Sequence, residues 1–388
     1  MISGMREEVF CFFLVAIALF IPQSTLSMSL ASKRYSMKYY TTSEQRQDFK
    51  TDGYIVISGL LTAEQTTKLV EVGQVIVQRH SDPGSLYFKL AERGVMICGP
   101  SNPNMSEEER ESIASVFRDV ALQSKIPHVA AELMDLDPNE ENVRVLRDVF
   151  LGKNIYEQKH CGWHVDDNAF WPESYQSSKS SHGINAWIAM QDMPAKYGGG
   201  LAVAPGSHTA QWRQQGYESL GFLSRETMSK EEFYKAIKER GFLSCVLHQT
   251  NVELNDCIEA MGHVPDIRCG DVIFHTRWLF HKTSPPTEQG RLFYENNGLS
   301  CLNRYSVRYV PGTARLPIGF VNELSILSDP SNAGKQLNDV EDAWYPQVWP
   351  FVEDDIEAKM RYLLTCKIPD ATKVMQTNLN ELLTILNS

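Results

Sequence analysis

In the first third of the chain apolar positions recur every three to four residues, and from Val143 onward they alternate or run together. That change of period divides a helical approach from a β-rich body. Residues 42–49 predict a helix whose first turn carries a capping box, Thr42 with Gln45. Asp52-Gly53 then turns the chain into Tyr54-Ile-Val-Ile57, an apolar, β-branched run of strand length. A second helix opens at Thr62, with Gln65 closing its box and Leu69, Val72, Val75 and Ile76 at helical spacing. A third is expected over 106–123, where Glu107-Glu108-Glu109 suits the positive end of the helix dipole.

The body predicts strands at 143–151, 155–158, around His164 and Asp166, and at 184–190, 201–203, 271–274, 291–294 and 306–310. Gly198-Gly199-Gly200 and Pro205-Gly206-Ser207-His208 are turns between them. Residues 212–266, with a helix at about 229–240, read as an insertion over one mouth of the sheet. Beyond Pro311 the pattern becomes mixed and ends in two helices, near 354–364 and 374–386. No repeat, heptad or linker interrupts it. The expectation is therefore one mainly β domain with flanking helices over 40–388: a core at 42–310, the insertion, and a helical extension at 311–388.

Residues 9–21 form an unbroken apolar stretch, shorter than the roughly 20 residues that span a bilayer. With Arg6 before it and small residues near Ser27 after it, it reads as a cleavable leader, residues 1–27. Such a leader directs a chain into the secretory pathway or an organelle and leaves no stable membrane span once removed; an uncleaved short anchor is the competing reading. Residues 27–40 hold no acid, which admits a two-part leader, and Asn104-Met105-Ser106 is a glycosylation sequon. The final Ile-Leu-Asn-Ser is not a peroxisomal address. A formal net charge of -11 with no basic patch argues against nucleic acid as a partner. The cysteines, at 11, 98, 161, 245, 257, 269, 301 and 366, show no Cys-x-x-Cys pair. They read mainly as free buried thiols, with room for one or two disulfides.

Chemistry enters at Gly162-Trp163-His164-Val165-Asp166-Asp167. His164 and Asp166 are two residues apart and share a face of a strand. An imidazole and a carboxylate so placed are two of the three protein ligands of a facial triad, the arrangement that leaves open positions on a ferrous ion. Downstream, Gly270-Asp271-Val-Ile-Phe-His275-Thr-Arg-Trp-Leu-Phe-His281 offers two candidates for the third. Arg291 lies ten residues past the second. A planar, two-pronged cation there suits the far carboxylate of 2-oxoglutarate, the keto acid that commonly supplies electrons to such centres.

The order His-x-Asp, then Ala-Trp-Ile-Ala-Met, then Gly-Gly-Gly-Leu-x-Val-x-Pro-Gly-Ser-His, then Gly-Asp followed by His and Arg, resembles the phytanoyl-CoA dioxygenase family over about 42–310. The resemblance implies a double-stranded β-helix, or jelly-roll (cupin-like), core. It implies Fe(II) as cofactor, 2-oxoglutarate and O2 as co-substrates, ascorbate as a candidate reductant, and oxidation of a small molecule. It selects His281 over His275 as the ligand completing His164 and Asp166, and it assigns Arg291 to 2-oxoglutarate. Thr283 falls where the family often has a hydroxyl touching the same carboxylate, and Trp187 where an aromatic lines the co-substrate pocket. Gly199-Gly200 departs from the usual Asn-Gly. Halogenating relatives lack the carboxylate, so Asp166 favours hydroxylation, desaturation or oxidative ring closure of a lipid-derived or amino-acid-derived carboxylic acid, in natural-product biosynthesis for instance.

Other residues carry plainer readings. His275 reads as a strand histidine with a satisfied hydrogen bond, and His208 as a turn residue. His160 and His182 flank the metal pair within reach of a substrate, and Asp167 and Asn168 are lip residues. Arg277 and Arg304 suit either an anionic substrate or surface ion pairs. Phe170 and Trp171 are the aromatics expected to face the pocket, whereas Trp278, Phe280, Trp344 and Tyr345 pack the core. A jelly-roll protein that binds a metal or ligand without turnover is the competing function. A zinc hydrolase fits poorly, for lack of a general base at metalloprotease spacing.

Overall fold

The computed structural model describes residues 39–79, 106–157, 160–166, 183–220, 247–316, 330–332, 334–340 and 345–358. These belong to one compact unit, Met37–Ser388. The leader, the Asn104 sequon, Phe170, Trp171, His182, Trp344 and the helices expected at 229–240 and 374–386 lie outside the described residues. No helix among the described residues is long and apolar enough to cross a membrane.

Helix α1 (Ser43–Asp52) starts with the expected capping box: the Gln45 amide donates to the Thr42 hydroxyl at 3.1 Å, and the Thr42 amide to the Gln45 side chain at 2.8 Å. Gly53, at φ +78°, ends it in the left-handed conformation that glycine adopts without penalty. Strand β1 (Tyr54–Ile57) follows, then α2 (Ala63–Arg79), capped in the same reciprocal way by Thr62 and Gln65. Helix α3 (Glu107–Arg118) runs directly into a π turn, Asp119–Gln123, and α4 (Ile126–Leu133) completes the helical layer.

Strands β2 (Val143–Asn154), β3 (Ile184–Ala189), β5 (Val272–Thr276), β7 (Cys301–Pro311) and β8 (Gln347–Trp349) join β1 in an antiparallel six-stranded sheet ordered β1-β5-β3-β7-β2-β8. Strands β4 (Leu201–Val203) and β6 (His281–Thr283) form a second sheet. Together they make the jelly-roll-like core that the resemblance implied. The part of the insertion that is described contributes α5 (Ala210–Leu220) and α6 (Val252–Met261).

Three expectations are corrected. The strand expected at 143–151 runs on to Asn154, and Ile155 and Tyr156, expected to open the next strand, form a turn. The metal-pair segment is no full strand: His164 forms an isolated bridge to His281, and Asp166 lies in a bend. Residues 291–294 are not a strand but part of helix α7 (Glu288–Asn296), which Thr287 caps by accepting from the Gly290 amide at 2.9 Å. Pro285 and Pro286 break the β pairing just before it. Strand resumes only at Cys301.

Alternation along the strands sorts the large sheet's two faces. Ile184, Ala186, Ile188, Val272, Phe274, Tyr305, Val307 and Tyr309 pack on one side with the apolar faces of the helices. The same side buries Asp148, whose carboxylate accepts from the Tyr305 hydroxyl at 2.6 Å. Asn185, Trp187, Ile273, His275, Arg304, Ser306 and Arg308 occupy the intervening positions and point the other way, toward β4 and β6. Cys257 and Cys269 are free and exposed, contrary to the expectation of burial, Cys301 is free and buried, and Cys161 is disulfide-bonded.

Gly198 sits at φ +68°, ψ -161°, a conformation closed to residues with a side chain, and a Cβ there would overlap the Pro285 carbonyl. Gly198→Ala should lower unfolding stability by about 2 kcal/mol or more in urea titration. A loss below roughly 0.5 kcal/mol would show that this turn is not held as described.

Candidate metal centre

The segment carrying His164 and Asp166 is pinned on both sides. Trp163 is buried against Leu254 and Ile258 of α6 and its indole donates to Glu259 at 2.6 Å. His164 exchanges two backbone hydrogen bonds with His281, at 3.0 and 2.9 Å, which fastens it to β6. The result is one cluster: ligand atoms of His164, Asp166 and His281 all lie within 4.8 Å of one another. His281 Nε2 is 3.5 Å from Asp166 Oδ1.

Backbone carbonyls set the ring tautomers. His164 Nδ1 donates to Gly162 at 2.9 Å and His281 Nδ1 to Leu279 at 3.0 Å, so each Nε2 keeps its lone pair. Burial, then the neighbouring His281, pushes His164 down to about 3, so at neutral pH it is in the uncharged form that ligates a metal. Burial alone would raise Asp166. The Arg308 guanidinium, 3.3 Å from its Oδ2, outweighs that and holds it well below the usual carboxylate range. A carboxylate and two imidazoles gathered this closely fit an octahedral ferrous ion.

His275 lies beside the cluster, its ring centroid 4.5 Å from that of His281, yet its nitrogens are both engaged. Nδ1 donates to the Thr276 carbonyl at 3.0 Å, and Nε2 accepts from Asn185 Nδ2 at 3.1 Å. The same Asn185 amide group donates to Asp166 Oδ2 at 3.0 Å. Asn185 thus orients the carboxylate and occupies the competing histidine. Sequence reasoning passed over Asn185, although its place in Ile184-Asn-Ala-Trp put it on the same strand face as Trp187.

Trp187 is 3% exposed and packs between the sheets against Ile273, Leu201, Val203 and Leu279. Thr283 is buried two residues past His281 on β6. The arginine that meets it is not Arg291. Arg291 lies half-buried on α7, its amide bonded to the Thr287 carbonyl. Arg304, on β7 and 4% exposed, brings Nη2 to 3.4 Å from the Thr283 hydroxyl. The ten-residue spacing that the resemblance implies falls on α7, ahead of the return to strand at Cys301. The signal for Arg304 was there: in Arg304-Tyr-Ser306-Val-Arg308 every second residue is polar, as an inner strand face requires. Lys153 adds a second cation, lowered to about 8 by burial and then by Arg304, and its ammonium contacts His160 Nδ1 at 2.6 Å. Arg277 is fully buried at the end of β5, its guanidinium 5.8 Å from the Trp278 ring. His208 bonds the Lys50 carbonyl at 3.2 Å, as a turn residue does.

Residues 49–292, well over half of the chain, match the family model described as phytanoyl-CoA dioxygenase (PhyH). No curated protein matches the sequence. Solved structures of similar fold include the non-heme alpha-ketoglutarate-dependent carbocyclase SnoK from nogalamycin biosynthesis, at TM-score 0.48 and 17% identity over 80% of this chain and 97% of that one. The epimerase SnoN, solved with Fe3+, alpha-ketoglutarate and nogalamycin RO, gives 0.45 and 16% over 79% and 97%. EctD from S. alaskensis with bound Fe gives 0.40 and 16% over 71% and 78%.

Removing the carboxylate's orienting amide tests this geometry. Asn185→Ala should weaken ferrous ion binding about 10- to 100-fold in anaerobic titration. Unchanged affinity would show that Asn185 plays no part in setting the site.

Proposed function

The chain belongs to the phytanoyl-CoA dioxygenase family, and from that membership we propose that it oxidises a C–H bond of a small carboxylic acid. It is a 2-oxoglutarate-dependent oxygenase with iron as cofactor. In the proposed arrangement His164, Asp166 and His281 hold the ion, and Arg304 with Thr283 takes the far carboxylate of 2-oxoglutarate. The observation that carries the reading is the convergence of ligand atoms from His164, Asp166 and His281 within 4.8 Å of one another.

The bound ion, with O2 and 2-oxoglutarate, supplies the oxidant that removes hydrogen from an unactivated carbon. The remaining work belongs to the side chains. Asp166 stays ionised because Arg308 and Asn185 face its Oδ2. The rings of His164 and His281 cannot turn without breaking their carbonyl bonds. Thr283 and Arg304 offer O–H and N–H donors on the inner wall, the geometry that receives a carboxylate. Trp187, with Ile273 and Leu279, forms an apolar wall that keeps water from the reacting carbon. With Asp166 in place of the small residue that halogenation requires, hydroxylation, desaturation and ring closure are the outcomes the site favours.

Succinate release as a function of 2-oxoglutarate concentration tests the clamp. Arg304→Gln should raise the co-substrate requirement at least about tenfold, the loss of a charge-assisted hydrogen bond, whereas Arg291→Gln should leave it within about twofold. The reverse order would return the role to Arg291. No succinate from the iron-loaded protein across a panel of carboxylic acids and acyl-CoAs would favour a binding protein without turnover.

A further inference from the structure

The two histidine ligands occupy one level of the small sheet, and the residues beside them in the chain occupy the next. His164 bridges His281, and His281 pairs with Val203 on β4, so these side chains share the inward face. One position along, Trp163, Lys282 and Ala202 face outward, where Trp163 and Ala202 pack with Leu254 and Ile258 of α6. The ammonium of Lys282 lies 4.8 Å from the centre of the Trp163 ring, within the range of a cation–π contact. Trp163 and Lys282 are each the immediate chain neighbour of a ligand. A shift in either carries its histidine with it.

One carboxylate holds both. Oε2 of Glu259, on the last turn of α6, accepts from the Trp163 indole at 2.6 Å and from the Lys282 ammonium. The helix that presents it is fixed at both ends. Asn251 caps its start by accepting from the Leu254 amide at 3.0 Å. At its end Gly262 passes so near Trp163 that a Cβ there would stand 3.0 Å from the indole ring. His263 then exchanges two backbone hydrogen bonds with Val203, both at 2.8 Å. Val203 is the partner of His281, so the helix runs into the sheet that carries the ligands. The side chain of Glu259 is 56% exposed and that of Lys282 23%, and an ion pair so open to water adds little to folding stability. What one oxygen shared by an indole and an ammonium does fix is the spacing of two segments far apart in sequence.

We propose that Glu259 is a positioning residue for the metal centre, setting the spacing of His164 and His281 from the outer face of the small sheet. The inference rests on the reading of those histidines as iron ligands. Groups that orient a ligand without touching the ion tune its affinity for the site. The insertion thereby acquires a task in the chemistry: α6 supplies no ligand, yet it fixes where two of them stand. Without the carboxylate the indole N–H loses its acceptor and Lys282 its counter-charge. The two segments then rely on the His164–His281 backbone pair and on apolar packing.

Three variants test the assignment. Glu259→Leu removes the shared acceptor, Glu259→Gln keeps an oxygen for the indole, and Glu253→Gln removes a carboxylate from the first turn of the same helix as a control. Each protein is titrated anaerobically with Fe(II), and the visible charge-transfer band with 2-oxoglutarate is recorded. The metal-free form is followed by thermal melting and by amide hydrogen exchange. Glu259→Leu should weaken Fe(II) binding about tenfold, the lower end of what an orienting group contributes to a metal site. It should also speed exchange of the His164 and His281 amides severalfold, with the melting temperature within about 4 °C of wild type. Glu259→Gln should recover most of the affinity, and Glu253→Gln should match wild type. Unchanged affinity and exchange in Glu259→Leu, an equal loss in Glu253→Gln, or a Glu259→Gln protein as weak as Glu259→Leu would overturn the assignment. So would faster exchange spread over the whole sheet with a melting temperature lowered by about 10 °C or more, the mark of a merely structural residue. A wild type that takes up no Fe(II) or forms no charge-transfer band would instead defeat the iron reading, and amide exchange would still decide whether Glu259 joins the two segments.

Discussion

The antiparallel pairing of β3 with β5 on one side and β7 on the other is the constraint on which the site depends. Strand side chains alternate faces, so this register puts Asn185, His275 and Arg308 together on the inner face and sends Ala186, Phe274 and Val307 to the helices. A slip of one residue would exchange the two sets, exposing the core and dismantling the centre together. Burial of the apolar face is what makes such a slip costly. Metal chemistry is therefore positioned by a hydrophobic surface that touches no ligand.

Charge balance follows from the same register. Asp166 would resist ionisation in so buried a place, and Arg308 reverses the sign of that effect. Asn185 adds a neutral donor and, with its other hydrogen, ties up His275. Hydrogen bonding sets the two histidines, six residues apart, in different states of engagement. His281 keeps a free Nε2 because its Nδ1 is spent on Leu279, whereas both nitrogens of His275 are engaged.

Much of this was legible in the sequence. Helix caps are local chemistry, so Thr42 with Gln45 and Thr62 with Gln65 were read correctly from four-residue patterns. His-x-Asp was readable because two residues on one short segment need no long-range fold to meet. Arg304 was harder. Its place beside Thr283 depends on how many residues separate β6 from β7, and Pro285-Pro286 followed by a Thr-capped helix made that connection longer than a turn. The helical spacing of Arg291, Tyr294 and Glu295 was mistaken for strand over too short a window, where helix and strand periods are hard to tell apart.

The central claim, that one inner wall gathers His164, Asp166 and His281 around a single ion with a separate guanidinium for the co-substrate, is tested most directly by anomalous diffraction. Crystals would be grown without oxygen from protein loaded with Fe(II) and 2-oxoglutarate. The account predicts one iron peak between His164 Nε2, the Asp166 carboxylate and His281 Nε2, with the far carboxylate of 2-oxoglutarate against Arg304 and Thr283. An iron peak bonded to His275, or a co-substrate carboxylate held by Arg291, would contradict it.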